Sequence, residues 1–209
     1  MQDFMVTSHR RAELYHWFTA LFAAPLADSE IREFSGYDMH AFLDSLATLD
    51  PLKAATEAFR RQAERVARLK KPHAELTEQY GRLFGQPSLL DTSTLAPPED
   101  EALVLMSVLL KQHGTHLDDD DPLNVCNQLE MMGTLALAAA GAAERGDEPA
   151  RRALLDQQRE LANQLIIGWL PTFAAACREQ DEFGFYAAAA ELLQAMFSMD
   201  LHYLNNVAD

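Results

Sequence analysis

The sequence predicts an all-α protein, a helical bundle of about nine or ten helices. Three observations carry this expectation. Apolar residues recur at helical spacing along nearly all of the 209 residues. No segment shows the sustained alternation of a strand. The breaks between periodic segments carry helix signals, with Asp-Pro pairs ahead and Gly or Pro behind.

Taken in order, Leu14, Phe18, Leu21 and Phe22 share one face of the first helix, flanked by Tyr15 and Trp17. Ser8 is its expected N-cap, and Pro25 lies just past its end. Asp38 is placed to cap a helix bearing Phe42, Leu46 and Leu49. Asp50-Pro51 opens the next, with Asp as N-cap and Pro at the first helical position, where a missing N–H costs nothing. That helix runs toward Leu69 and stops before Pro72; another runs from about His73 to Phe84 and stops at Gly85. Gln86 to Pro98, with three prolines, reads as a long ordered loop of the kind that carries function. A helix from about Glu99 to His113 ends at Gly114. After an acidic connector, Asp121-Pro122 repeats the start signal for a Leu-, Met- and Ala-rich helix to about Ala143. Asp147 or Glu148 opens another that extends past Leu161. Pro171 starts, kinks or divides a helix ending near Gln180, and the last spans about Gly184 to Met199. The Ala-rich runs Ala136–Ala143 and Ala187–Ala190 suit close helix packing.

Charge suggests a division. Seventeen Lys and Arg against 32 Asp and Glu leave a net −15. Residues 118–209 hold 5 basic and 16 acidic residues, against 12 and 16 in residues 1–117. The expected organisation is an N-terminal helical subdomain (1–113), an acidic hinge (114–121) and a C-terminal helical subdomain (122–209). If the hinge stays extended, the halves can exchange between chains to give a swapped homodimer.

The same charge excludes whole classes of function. It argues against binding the phosphate backbone of nucleic acid and against docking on anionic lipid, and it favours a basic partner or peptide. Cys126 and Cys177 form no CxxC or metal-binding spacing, so a reduced compartment and a cytoplasmic location are expected. The longest uncharged run, Leu161 to Cys177, falls short of the ~20 residues a membrane span needs. Arg10-Arg11 superficially resembles a twin-arginine export signal, but Glu13 and an amphipathic pattern follow, and no signal peptide is expected.

Few residues offer chemistry. Asp118–Asp121 lack the alternate spacing and glycine of a calcium loop; they read as a solvated linker, a docking patch for a basic peptide, or a metal site. His113 and His116 straddle Gly114, which breaks the helical spacing that would pair them. Arg60, Arg61, Arg65, Arg68, Lys70 and Lys71 form a basic cluster that is either a solvated, acid-paired face or an anion contact. Cys126 reads as a buried thiol, and Met131 and Met132 as core or as an adaptable binding surface. No HExxH, GxSxG, Gly-rich phosphate loop or ExxH di-iron motif is present, so no catalytic set emerges.

Four stretches together resemble one family. They are Arg11-Ala-Glu-Leu-Tyr15-His-Trp-Phe-Thr-Ala-Leu21-Phe22; Glu78-Gln-Tyr80-Gly-Arg-Leu83-Phe84-Gly85, followed by Pro97-Pro98-Glu99; Asp121-Pro122-Leu-Asn124 through Leu129-Glu130-Met131-Met132; and Trp169-Leu170-Pro171 through Phe173, then Phe185-Tyr186 and Glu191-Leu192. Their order and spacing resemble the TorD/DmsD/NarJ family of redox-enzyme maturation chaperones, and within it the TorD branch. Such a resemblance implies an all-helical, non-enzymatic chaperone in the cytoplasm. It would bind the apo form of a molybdenum-dependent reductase of the trimethylamine N-oxide or dimethyl sulfoxide reductase type. It would recognise the twin-arginine signal peptide of that reductase, assist molybdenum cofactor insertion and hold back export. No tightly bound cofactor is implied, only weak contact with a guanine nucleotide or molybdopterin guanine dinucleotide. Carried over residue by residue, the partner-binding positions are Tyr80, Leu83, Phe84, Pro97, Pro98, Asp120, Asp121, Pro122, Asn124 and Leu129. Leu123 and Asn124 stand where the family has an Asp-His pair, and Leu165 where it has a His. Without the resemblance, a generic acidic helical adaptor and a metal-dependent bundle enzyme using His113, His116 and the aspartates remain open.

Overall fold

A computed structural model describes residues 2–115, 117 and 121–207. Among them the protein is all-α, with ten α-helices and no strand. They are α1 (Gln2–Ala23), α2 (Asp28–Glu33), α3 (Tyr37–Ala47), α4 (Asp50–Ala67), α5 (Pro72–Phe84), α6 (Asp100–His113), α7 (Val125–Glu144), α8 (Glu148–Leu161), α9 (Ile167–Gln180) and α10 (Phe185–Asn206). A short 3-10 turn, Thr92–Thr94, precedes α6, and a π-helical turn, Ala162–Ile166, separates α8 from α9.

The chain folds as two compact units. One comprises residues 1–23, 90–170 and 200–209, the other residues 24–89 and 171–199. This division does not follow the linear one expected at 114–121, because each unit draws chain from both sides of that connector. The physical reason in the first unit is that α1 packs along α7, so the start of the chain belongs with its middle.

In the first unit, α7 is the central element. Its buried residues run from Val125 through Ala143 on nearly every side, as expected of a helix apolar all round. Ala136, Ala139, Ala140, Ala142 and Ala143 present little bulk, and α1 and α8 pack against this helix. At Gly133 the approach is so close that an added Cβ would run into the His16 imidazole. Met131 and Met132 are fully buried here, so they are core rather than a binding surface. Ser8 does not cap α1. The helix begins at Gln2, and Ser8 lies inside it, buried. Arg11 is buried too: its Nε and Nη2 donate to the Asp200 carboxylate, the Nη2 bond at 2.9 Å, and the Tyr15 hydroxyl donates to the same group at 2.8 Å. Burial opposes the Arg11 charge and Asp200 overrides it, so the guanidinium is held more firmly protonated than usual. Burial and the neighbouring carboxylate push the Tyr15 hydroxyl well above its ordinary range.

The second unit is built on aromatic contacts. Phe34, Phe59 and Phe185 form a triangle with centroids 5.4–6.1 Å apart. The chain turns into α10 at Gly184, whose φ of +82° favours glycine. Asp181 holds that turn, accepting from the Phe183 and Ala187 N–H groups at 2.9 Å each. Three members of the basic cluster are partnered inside this unit. Arg60 meets Asp44 at 2.6 Å, Arg68 meets Glu64 at 3.0 Å, and Arg65 donates to the Phe183 carbonyl at 3.2 Å while lying over its ring. The Cys126 and Cys177 thiols are both buried. No helix among the described residues is long and apolar enough to cross a membrane.

Candidate functional site

The first unit holds a cleft of about 430 Å³. It is lined from three directions: the proline loop (Thr92, Ala96, Pro97, Pro98), the start of α6 (Glu99, Glu101, Ala102), and the π turn with its continuation (Asn163, Gln164, Leu165, Gly168, Trp169). Each wall has a local cause.

The proline loop is pinned rather than free. Asp91 pairs with Asn124 in an isolated antiparallel bridge. The Val125 N–H donates to the Leu90 carbonyl at 2.8 Å, and the Thr92 N–H and hydroxyl donate to the Leu123 carbonyl at 2.9 and 2.8 Å. Asp91 then caps the following turn through the Ser93 N–H at 2.9 Å. The structure thus brings together two stretches that the sequence singled out separately, the Pro97-Pro98 loop and the Asp121–Asn124 element.

That element is itself a compact turn. The Asp121 carboxylate accepts from the Leu123 N–H at 2.9 Å, and Asn124 caps α7 by accepting from the Cys126 N–H at 2.8 Å. The start signal at Asp121-Pro122 is therefore displaced: Asp121 closes a turn and Asn124 is the cap. Two buried amides on the first turn of α7 lock the arrangement. Asn127 donates to the Asp121 carbonyl at 3.0 Å, and Gln128 donates to the Pro122 carbonyl at 2.9 Å. Gln128 also accepts from the Trp169 indole N–H at 2.6 Å. Gln128 is 0% exposed, so this bond satisfies two groups that water does not reach. The carboxamide pair Asn127-Gln128 at the head of a Leu-, Met- and Ala-rich helix is the visible signal for it.

The third wall is the π turn. The Ile167 N–H bonds to the Ala162 carbonyl, one residue further back than in an α-helix. Asn163 and Gln164 stand exposed on this turn and face the cleft, while Leu165 and Ile166 are buried. Opposite them, Glu99 and Glu101 are exposed carboxylates on the start of α6. The cleft therefore offers two carboxylates and two carboxamides beside the accessible apolar surface of Ala96, Pro97 and Pro98, a combination that receives a positively charged group with an apolar neighbour.

The remaining expected site residues fall elsewhere. Asp120 lies outside the described residues, as do His116, Asp118 and Asp119. Leu129 is fully buried in α7. Tyr80, Leu83 and Phe84 belong to the second unit. Leu83 and Phe84 are buried there, and Phe84 contacts Tyr80, Tyr186 and Phe173 at centroid distances of 4.9, 5.2 and 6.3 Å. These two side chains are built into the core rather than onto a surface. His113 ends α6 ahead of Gly114, whose φ is +69°. Among the described residues, no cluster of three His, Cys, Asp or Glu side chains is placed to hold a metal ion.

Comparison with known proteins gives likenesses over the whole chain. It is 35% identical to the chaperone protein TorD of Aeromonas salmonicida, over 99% of this chain and 97% of that one. It is 29% identical to the chaperone protein TorD of Photobacterium profundum, over 98% of each. It is 27% identical to that of Vibrio vulnificus, over 98% of this chain and 99% of the relative. No family model matches the chain, and no solved structure matches it. The role named for these relatives is that of a chaperone, which is not an enzymatic one.

Proposed function

The chain belongs to the TorD family of chaperone proteins, and we propose that it acts in the cytoplasm on one client, the apo form of a molybdenum-dependent reductase of the trimethylamine N-oxide or dimethyl sulfoxide reductase type. In this reading it holds the client and its twin-arginine signal peptide until the molybdenum cofactor is in place, and only then releases it for export. Weak contact with a guanine nucleotide or with molybdopterin guanine dinucleotide belongs to the same reading, and no site is assigned to it. The observation that carries the proposal is likeness to named chaperones along the entire chain.

The cleft supports the peptide part. A signal peptide of this kind offers two guanidinium groups followed by an apolar segment, and the cleft offers carboxylates beside apolar walls. Pro97 and Pro98 line it directly; Asp121, Pro122 and Asn124 shape it through the bridge to the proline loop. Each exposed charge contact is worth only ~0.2–1 kcal/mol, so burial of apolar surface at ~25 cal/mol per Å² supplies most of the affinity. Titration calorimetry with twin-arginine signal peptides and Lys-Lys counterparts, alongside co-purification with a candidate apo-reductase, tests this. Binding that weakens on Arg-Arg→Lys-Lys is expected. Equal binding of both peptides reduces the protein to a generic acidic helical adaptor, and binding of neither peptide nor reductase refutes the proposal.

A further inference from the structure

One exposed stripe of α6 leads away from the cleft. Glu101, Val104, Val108 and Lys111 follow one another at spacings of three, four and three residues, so they share one face. All four are exposed, Val104 at 63% and Val108 at 42%. At 1.5 Å per residue the two valines lie ~4.5 and ~10.5 Å along the axis from Glu101, and Lys111 one turn further. The terminal charges suit the helix dipole by themselves, acids at the start and Lys at the end. The valines between them do not explain themselves. β-Branched residues are poorer helix formers than the long polar residues a solvated face takes, and here they bury little in exchange. Ile167, 47% exposed, lies one turn along its helix from the cleft residue Gln164.

We propose that this stripe is a docking rail for the client's signal segment, with its arginines at Glu99 and Glu101 and its following apolar turns over Val104 and Val108, the segment running in the same direction as α6. The inference rests on the reading that the chain receives such a segment, and it adds where and in which direction. Charge complementarity fixes the direction. The carboxylates of Glu99, Asp100 and Glu101 outweigh the half-charge of the helix N-terminus, so cations are drawn to that end. Lys111 at the other end repels them. A segment in the opposite direction would set its arginines against Lys111 and its apolar turns against the carboxylates.

Fluorescence anisotropy with a labelled synthetic peptide, two arginines followed by a leucine-rich segment, tests the rail on the full chain. The variants are Glu101→Gln, and Val104→Asp with Val108→Asp; all are surface changes, with folding checked by circular dichroism and Val104→Ser as the milder companion. Glu101→Gln should weaken the arginine peptide about two- to fivefold and leave a Gln-Gln peptide unchanged. The valine pair should weaken it about tenfold or more. Unchanged affinity in the valine variant, or in Glu101→Gln, overturns the rail while leaving the chaperone reading intact. Failure of the unaltered protein to bind peptide or apo-reductase overturns that reading, and the rail with it.

Discussion

Asp200→Ala should unfold the protein far more readily than its position near the end of the last helix suggests. The Asp200 carboxylate accepts three hydrogen bonds, two from Arg11 and one from the Tyr15 hydroxyl. Arg11 and Asp200 are 6% and 3% exposed, so water does not replace the lost partner. A guanidinium cannot escape by giving up its proton. The variant therefore leaves an uncompensated buried charge, at a cost of about 3–5 kcal/mol. That is a large part of the roughly 5–15 kcal/mol typical of a folded domain. The Tyr203 ring, 5.0 Å from the Arg11 guanidinium carbon, returns only part of it.

Urea unfolding at neutral pH, followed by far-ultraviolet circular dichroism, measures the loss as a lower midpoint at unchanged slope. The decisive comparison is Arg11→Met with Tyr15→Phe and Asp200→Leu. Replacing a buried ion pair by apolar side chains of similar size is often close to neutral. The triple variant should therefore recover most of the ~3–5 kcal/mol lost by Asp200→Ala. Additive losses across the singles, or a loss below ~1 kcal/mol in Asp200→Ala, would refute the reasoning, because coupled partners in one network must be non-additive.

Three further outcomes are expected. Asn124→Ala removes the side-chain cap of α7 and should cost ~1 kcal/mol in the same urea assay, with Asp121→Ala tested beside it. The Glu148 carboxyl is held at about 2 by hydrogen bonds from Arg151, with Arg152 adding to it and desolvation opposing. Its folded value is depressed, so its contribution to stability is present above the ordinary carboxylate range and lost as pH falls toward 2; a carbon-detected NMR titration should show that midpoint, and Arg151→Gln with Arg152→Gln should move it up toward 4.5. Burial, with Asp181 nearby, pushes the Cys177 thiol well above its ordinary range, so iodoacetamide at mildly alkaline pH should leave it unlabelled in the native protein and label it in urea; rapid native labelling would count against that burial.

The helix boundaries that the sequence places well are those set by local chemistry. α4 begins at Asp50, although Leu49 takes the N-cap position without a side-chain bond and Asp50 is the first helical residue rather than the cap; Gly85 and Gly114 follow α5 and α6, and Asp147 caps α8 by accepting from the Ala150 N–H at 3.1 Å. The misplacements come from contacts no local window contains. α10 runs on to Asn206, past the expected stop at Met199, and Asp200 at that point bonds to Arg11, 189 residues away in sequence. Ser8 has the chemistry of a cap, yet it is buried inside α1, which continues through it to Gln2, with the Phe4 ring 5.0 Å from the Arg151 guanidinium carbon. α2, six residues long, is too short to show a period at all.

The candidate site divides along a different line. Landmarks shared with a family point equally to residues that hold the fold and to residues that meet a partner, and only burial separates them. Leu83, Phe84 and Leu129 are interior, while Asn124 spends its side chain on the α7 cap. Pro97 and Pro98 are the carried-over residues that line the cleft. The rest of that wall comes from a bridge between residues 91 and 124 and from a π turn, neither of which has a compositional signature. The residues of the proposed rail, Glu101, Val104 and Val108, sit outside every landmark, on a helix whose sequence reads simply as amphipathic. A partner surface on this fold is therefore found by asking which apolar side chains the packing leaves uncovered, a question that only the folded chain answers.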